Sequence, residues 1–193
     1  MSEQTLKEYA ADLAAALLKS DFTTLNRIGE LLLEKKRNGN TIFLIGNGGS
    51  SATASHVTND LVKGCRVAGF PGFRAVCLND SSTLLTCLAN DFSYADVFAI
   101  LLETYAKEGD VLIAFSGSGN SPNVIRALEK AKEMDVTCIG FGGRDGGKMK
   151  PLCDLSVIAP TNSMEMLEDL HLIYWHDLVC SLRESLIRDT CLC

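Results

Sequence analysis

Two short stretches carry the residue types that grip an anion. Residues 46–51 read GNGGSS and residues 116–121 read SGSGNS. Glycine lets backbone N–H groups approach a ligand, and the hydroxyls of Ser50, Ser51, Ser116, Ser118 and Ser121 can donate hydrogen bonds to its oxygens. Each stretch follows an apolar run, TIFLIG or VLIAFS, and precedes a helical pattern, which places it between a strand and the N-terminal end of a helix. Gly and Ser also build ordinary strand-to-helix turns. Two serine-rich examples in one short chain favour a phosphate-bearing ligand. Neither ends in Gly-Lys-Ser/Thr, so neither is a P-loop, and neither fits G-x-G-x-x-G followed by a ribose-binding acid. A third glycine cluster, FGGRDGGKMK, has few hydroxyls and reads as a loop.

The elements around these stretches follow from periodicity. Leu6, Tyr9, Ala10, Leu13, Ala16 and Leu17 recur at helical spacing over residues 4–20, and Leu25, Ile28, Leu31 and Leu32 over 24–36, which predicts a helical hairpin. Its leucine stripe is expected to pack internally. Strands are expected at TIFLIG, FRAVCL, VLIAFS, VTCIGF and DLSVIAP, with helices over 52–63, 81–89, a short stretch ending near Lys107, and the run from Pro122. A last helix is predicted over 164–188, with Asn162 and Ser163 as candidate caps. Strand–helix alternation implies a three-layer αβα sandwich around a parallel sheet, because each parallel return needs a crossover. No linker or repeat divides residues 1–193, which read as one domain: a hairpin over 1–38 and an α/β core over 39–193.

Composition narrows the partners. With 193 residues and 47% apolar positions, the chain can bury a core without disulfides or structural metal. A net charge of −6 and no basic run argue against nucleic acid. No segment approaches the roughly 20 apolar residues of a membrane span, and Glu3, Glu8 and Asp12 interrupt any signal-like start. The eight cysteines contain no C-x-x-C pair. Cys77, Cys87, Cys138 and Cys180 sit in apolar runs, which suggests a reduced, cytoplasmic protein, while Cys191 and Cys193 are expected to fray.

Taken together, GNGGS, ASHVTNDL, LANDFSYADVF, SGSGNS, GGRDGGKM and EDLHLIYWHDL resemble the phosphoheptose isomerases of the sugar isomerase (SIS) family over nearly the whole chain. The resemblance implies a five-stranded parallel sheet, a homotetramer with sites between subunits, and conversion of sedoheptulose 7-phosphate into D-glycero-D-manno-heptose 7-phosphate, an early step towards bacterial surface heptose. It places substrate contacts on Asn47, Gly48, Gly49, Ser50, Asn90, Asp91, Ser116, Gly117, Ser118 and Ser121. It makes Asp60 and His176 the base and acid, with Asp60 and Glu168 also near the substrate. It also implies a divalent metal, zinc in the family, held by His56, Asp60, Glu168 and His176.

That chemistry suits these residue types. An aldose–ketose isomerisation moves a proton between C1 and C2 through an enediol, with one group taking the carbon-bound proton and another serving oxygen. His56 and Asp60, four apart on a helix, share a face and suit one divalent ion. Glu168 and His176 are about 12 Å and roughly 80° apart on one helix, and would share a metal only by leaning together or meeting across subunits. Four departures from the family pattern stand out. Asp60 replaces a glutamate, Glu168 a glutamine, Gly117 a frequent threonine and Gly64 an arginine, with Lys63 and Arg66 nearby. Misplacing a catalytic group by about 1 Å can cost on the order of a hundredfold in rate.

Bland roles are available too. His171 and His176 lie among Leu172, Ile173, Tyr174 and Trp175, where histidines are often structural, and His171 lies about 140° around the helix from His176. Asp169 reads as part of a solvated helix start. Two other functions share this fold: a non-catalytic tetramer that binds a partner protein, like the DNA-initiator-associating proteins, and a sugar-phosphate sensor. Retention of both Asp60 and His176 favours the enzyme.

Overall fold

The computed structural model describes residues 3–190. Helices α1 (Glu3–Leu17) and α2 (Phe22–Arg37) lead, and strand β1 (Thr41–Ile45) runs into α3 (Gly49–Asn59), which continues as a π-helical turn over Asp60–Gly64. Next come β2 (Arg74–Cys77), α4 (Ser82–Asp91), α5 (Val97–Tyr105), β3 (Val111–Ser116), α6 (Pro122–Glu133) and β4 (Thr137–Gly143). A 3-10 turn at Lys150–Leu152, β5 (Leu155–Ala159) and α7 (Met164–Thr190) complete the order. Helix α3 thus begins at Gly49, three residues earlier than the sequence pattern suggests, because the second half of GNGGSS is already its first turn.

The five strands form one parallel sheet in the order β2-β1-β3-β4-β5. The chain leaves β1 towards β2 and returns on the other side to β3, so the strand order switches direction between β1 and β3. Ligands of such sheets collect beyond the carboxyl ends of the strands at that switch. Ile45 pairs with Ala114 there, which brings the two glycine-serine stretches out side by side. Every residue of β3 is buried, as a central strand covered on both faces requires.

Two apolar clusters sandwich the sheet. One gathers residues of α2, α3 and α7 around Phe115, Phe141 and Trp175, and the other gathers α5 and α6 around Phe43, Phe98 and Leu128. Within the first, Phe115 and Phe141 stack at 5.3 Å between centroids and Trp175 lies 5.3 Å from Phe141. Helix α2 buries Leu25, Ile28 and Leu32 as its stripe predicts. The expectation of internal packing holds for part of α1: Ala16 is buried and Leu13 and Leu17 pack against the first cluster, whereas Leu6 is 70% exposed.

Three further expectations need correction. Cys77 and Cys138 are buried, but Cys87 and Cys180 are exposed on outer helix faces, since an apolar run wrapped on a helix still turns some positions outward. All six cysteines among the described residues are free, while Cys191 and Cys193 lie outside them. Of the two candidate caps of α7, Ser163 does the capping, its Oγ accepting from Met166 N–H at 3.3 Å. FGGRDGGKMK is more than a loop: Gly142 and Gly143 finish β4, and the rest buttresses the second glycine-serine stretch, with Met149 N–H donating to Gly119 O at 2.9 Å. No helix among the described residues is long and apolar enough to cross a membrane.

Phe115 joins β3 to the aromatic cluster under α7. Phe115→Ala is expected to lower the unfolding free energy by about 3–5 kcal/mol in a urea titration, and a loss below about 1 kcal/mol would contradict its place at the centre of that cluster.

Candidate active site

Side chains cap some helix starts in this chain and leave others, α5 among them, uncapped. Asp21 Oδ1 caps α2 by accepting from Thr24 N–H at 2.9 Å, and Ser81 Oγ caps α4 by accepting from Leu84 N–H at 3.3 Å. Neither α3, starting after Gly48, nor α6, starting after Ser121, has a side-chain cap. At α3 the N–H groups of Gly49 and Ser50 are left for a ligand. Helix α6 opens on Pro122, which has no N–H, and its Val124 N–H donates to Ser121 O and Asn123 Oδ1, so Asn123 N–H is what that start offers. The hydroxyls of Ser50, Ser51, Ser116 and Ser121 likewise make no hydrogen bond among the described residues, whereas Ser118 Oγ accepts from Asn120 N–H at 3.2 Å.

Asparagine amides that the sequence did not single out set the first stretch in place. Asn79, just past β2, donates to Gly46 O at 2.8 Å and accepts from Gly46 N–H at 3.2 Å. On the other side, Asn47 and Asn123 exchange two amide hydrogen bonds of 2.9 Å each. Tyr94 Oη adds a third bond to Asn47 Oδ1 at 2.8 Å. Position was the available signal: Asn79 follows a strand, Asn123 follows the Pro122 that opens a helix, and Tyr94 lies within LANDFSYADVF. Asn90 and Asp91 end α4, where both are exposed and bond to each other at 2.8 Å. Among the described residues, neither bonds to either stretch.

The titratable groups converge where α7 crosses α3. His56 and Asp60 lie one turn apart, with His56 Nε2 3.3 Å from Asp60 Oδ2. His176, from α7, brings its Nε2 within 3.8 Å of the same oxygen and 3.0 Å of His56 Nε2. One donor atom from each residue lies within 4.8 Å of the other two, a group able to hold a metal ion. At 3.0 Å, two imidazole nitrogens either share one proton or turn both lone pairs towards a cation, since two N–H groups would collide. Asp60 sits where α3 becomes π-helical, its carbonyl accepting from Cys65 N–H. Such turns concentrate at functional sites, and apolar periodicity does not announce them.

Within one chain the three-residue group leaves out Glu168, the fourth of the implied metal set. Its carboxylate lies two turns before His176 against the start of α3, where a methyl group on Gly49 would stand 2.2 Å from Glu168 Oε1. A side chain at position 49 would have to displace that flexible carboxylate, and within one chain Glu168 reaches the first stretch. The other departures have visible settings. A Cβ at Gly117 would meet Met164 Sδ at 2.8 Å, so a methionine fills the space of the missing threonine side chain. A Cβ at Gly64 would meet only ordinary contacts, Val179 Cγ1 at 3.5 Å and Asp60 Cβ at 3.8 Å, so packing does not impose glycine.

His171 and Asp169 prove structural. His171 is 1% exposed and its Nε2–H donates to Gly142 O at 3.1 Å, tying α7 to β4. Asp169 is tied in rather than solvated, because Tyr9 of α1 donates to its Oδ2 at 2.6 Å. That bond to a carboxylate pushes the Tyr9 phenol up to about 12.

A parallel sheet whose switch point carries two uncapped, serine-rich helix starts defines the class of SIS domains, and the SIS domain profile matches residues 6–143. The chain belongs to the SIS domain family. Its relatives include the phosphoheptose isomerase of Aliarcobacter butzleri, 36% identical over 182 residues that cover 92% of this chain and 95% of that protein. The phosphoheptose isomerase of Helicobacter pylori is 40% identical over 148 residues, 77% of each chain. Among solved structures, phosphoheptose isomerase GmhA from Neisseria gonorrhoeae superimposes with a TM-score of 0.87 at 28% identity, covering 94% of this chain and 98% of that one.

Burial pushes the His171 imidazole down to about 4, against the Gly142 carbonyl that favours its charged form. The unfolded chain takes up this proton near pH 6.5, before the folded one does, so stability present above that pH is lost as pH falls towards 4. Between pH 7 and pH 5 the parent is expected to lose about 1–2 kcal/mol more than His171→Gln, whose amide can still donate to Gly142. Urea unfolding at the two pH values measures this, and equal losses would contradict a neutral, buried His171.

Proposed function

We propose that this chain is an aldose–ketose isomerase that converts sedoheptulose 7-phosphate into D-glycero-D-manno-heptose 7-phosphate. The observation that carries the reading is the meeting of Asp60 and His176 where α7 crosses α3, the helix that starts in the first glycine-serine stretch. Asp60 takes a proton from C1 of the ketose and returns it to C2. His176 moves the hydroxyl proton between O1 and O2, so the intermediate is an enediol and no electrons leave the sugar. A single carboxylate can serve both carbons because they are adjacent.

Charge orients the substrate. A phosphate on the first stretch would stand close to the Glu168 carboxylate. At about 4 Å and an effective dielectric of about 20, each pair of unit charges is opposed by about 4 kcal/mol. Around Gly117 and Gly119 of the second stretch the near neighbours are Met164, Leu167 and the backbone of Gly146 and Gly147. The phosphate therefore takes Ser116, Gly117, Ser118 and Ser121 with the start of α6. The sugar takes Asn47, Gly48, Gly49 and Ser50, with Glu168 accepting a hydroxyl and the reacting carbons towards Asp60. In the proposal Asn90 and Asp91 reach the substrate in the assembled protein.

His56, Asp60 and His176 fit zinc as two imidazoles and a carboxylate with a coordination position open. Their separations of 3.0, 3.3 and 3.8 Å bracket the roughly 3.4 Å between ligand atoms of a tetrahedral ion bound at about 2.0–2.1 Å. When bound, the ion would polarise the substrate carbonyl.

The proposal includes a homotetramer acting as a single-domain unit per chain, in the cytoplasm. Exposed Leu6, Leu84, Phe92 and Tyr105 support a further apolar interface, and the free cysteines support a reducing compartment. His56 and His176, with side chains 47% and 53% exposed, make an open rim that a neighbouring subunit would close.

Asp60→Asn and His176→Gln are each expected to lower turnover of sedoheptulose 7-phosphate by about 100-fold or more, with unchanged circular dichroism and subunit mass. Aldose product is followed by NMR on chelator-treated and zinc-loaded protein. Turnover by either variant within about twofold of the parent would overturn its assigned role.

A further inference from the structure

We propose that Asn123 is a positioning residue of the isomerase: together with Tyr94 it fixes the Asn47 amide so that Asn47 meets the substrate only as a hydrogen-bond donor. The inference rests on the isomerase reading and deepens it. Asn123 is 1% exposed and its side chain makes three hydrogen bonds. Its Oδ1 accepts from Asn47 Nδ2 at 2.9 Å and from Val124 N–H at 3.0 Å, while its Nδ2 donates to Asn47 Oδ1 at 2.9 Å. The facing amides therefore form a closed pair between the first anion stretch and the opening turn of α6. A buried amide is stable only when so satisfied.

Tyr94 completes the assignment. Its ring is 57% exposed, yet its hydroxyl turns inward to Asn47 Oδ1 at 2.8 Å instead of to water. The segment carrying it is latched to α6, because Asp96 accepts from Ser93 Oγ at 2.6 Å and pairs with Arg126. Both lone pairs of Asn47 Oδ1 are then occupied, and one of its two Nδ2 hydrogens is spent on Asn123. A single N–H remains. The substrate atom it meets must be an acceptor, such as a carbonyl oxygen, an enediolate oxygen or a hydroxyl lone pair. Asn123 keeps one Nδ2 hydrogen but is 1% exposed, so it acts on the substrate through Asn47.

That dependence is measurable as a double-mutant cycle on the full chain, because coupled residues lose additivity. Turnover of sedoheptulose 7-phosphate is compared for the parent, Asn123→Ser, Asn47→Ala, the double variant and Tyr94→Phe, with melting temperatures recorded for each. Asn123→Ser is expected to lower kcat/KM by about 10- to 100-fold in the parent but by less than about threefold in the Asn47→Ala background. Tyr94→Phe is expected to lower it by about three- to tenfold at an unchanged melting temperature. An equal Asn123→Ser loss in both backgrounds, or a Tyr94→Phe variant at parent kcat/KM, would overturn the inference. The same cycle read by calorimetric binding of sedoheptulose 7-phosphate separates it from the underlying reading. An inactive parent that keeps the coupled pattern in binding overturns the isomerase alone, and an active parent without it overturns the positioning role alone. A variant that fails to fold is replaced by Asn123→Asp, for which the same coupling is expected.

Discussion

An apolar seam between α3 and α7 holds together groups that the chain otherwise keeps 120 residues apart. Ala54, Val57 and Leu61 lie on one side of it and Tyr174, Trp175, Leu178 and Val179 on the other, all within one buried cluster. Each large apolar side chain so buried contributes about 1.5–3 kcal/mol, far more than a polar contact at an exposed rim returns. The hydrophobic seam therefore sets the geometry and the polar groups accept it. His176 lands over His56 and Asp60 because Trp175 and Tyr174, its neighbours in sequence, are anchored in the core. The His171 bond to Gly142 fixes the rotation of the same helix.

The sheet supplies the second half of the site by the same economy. Parallel pairing of β1 with β3 brings two strand ends together, and each end opens into a helix left without a side-chain cap. At α2 and α4 that place is taken by the side chains of Asp21 and Ser81. The difference is chemical, since an N–H satisfied by a neighbouring side chain is lost to a substrate. Glu168 adds polarity to the arrangement: its carboxylate at Gly49 sets a negative group on the first stretch.

Much of this was legible in the sequence because it is local. Strand–helix alternation, the two glycine-serine stretches and the i,i+4 spacing of His56 and Asp60 all lie within short windows. What periodicity hid is tertiary. Asn79 and Asn123 act through amides whose partners are 33 and 76 residues away, so their neighbourhoods marked where they stand but not what they hold. The π-helical turn at Asp60 adds a residue to a turn without disturbing the apolar pattern. Within one chain Glu168 stands apart from the group of His56, Asp60 and His176, because the eight-residue offset along α7 decides which group each side chain reaches and residue types alone do not tell it. The exposed outer face of α1 likewise follows from what is absent on one side of a helix, which a leucine stripe does not encode.

The most direct test is a crystal structure of the assembled protein with sedoheptulose 7-phosphate bound to the Asp60→Asn variant, so that turnover does not consume it. The account predicts the phosphate on Ser116, Ser118 and Ser121 at the start of α6, with C1 and C2 lying between residue 60 and His176. A phosphate seated on Gly48 and Ser50 beside Glu168, or C1 and C2 remote from His176 in every subunit, would contradict it.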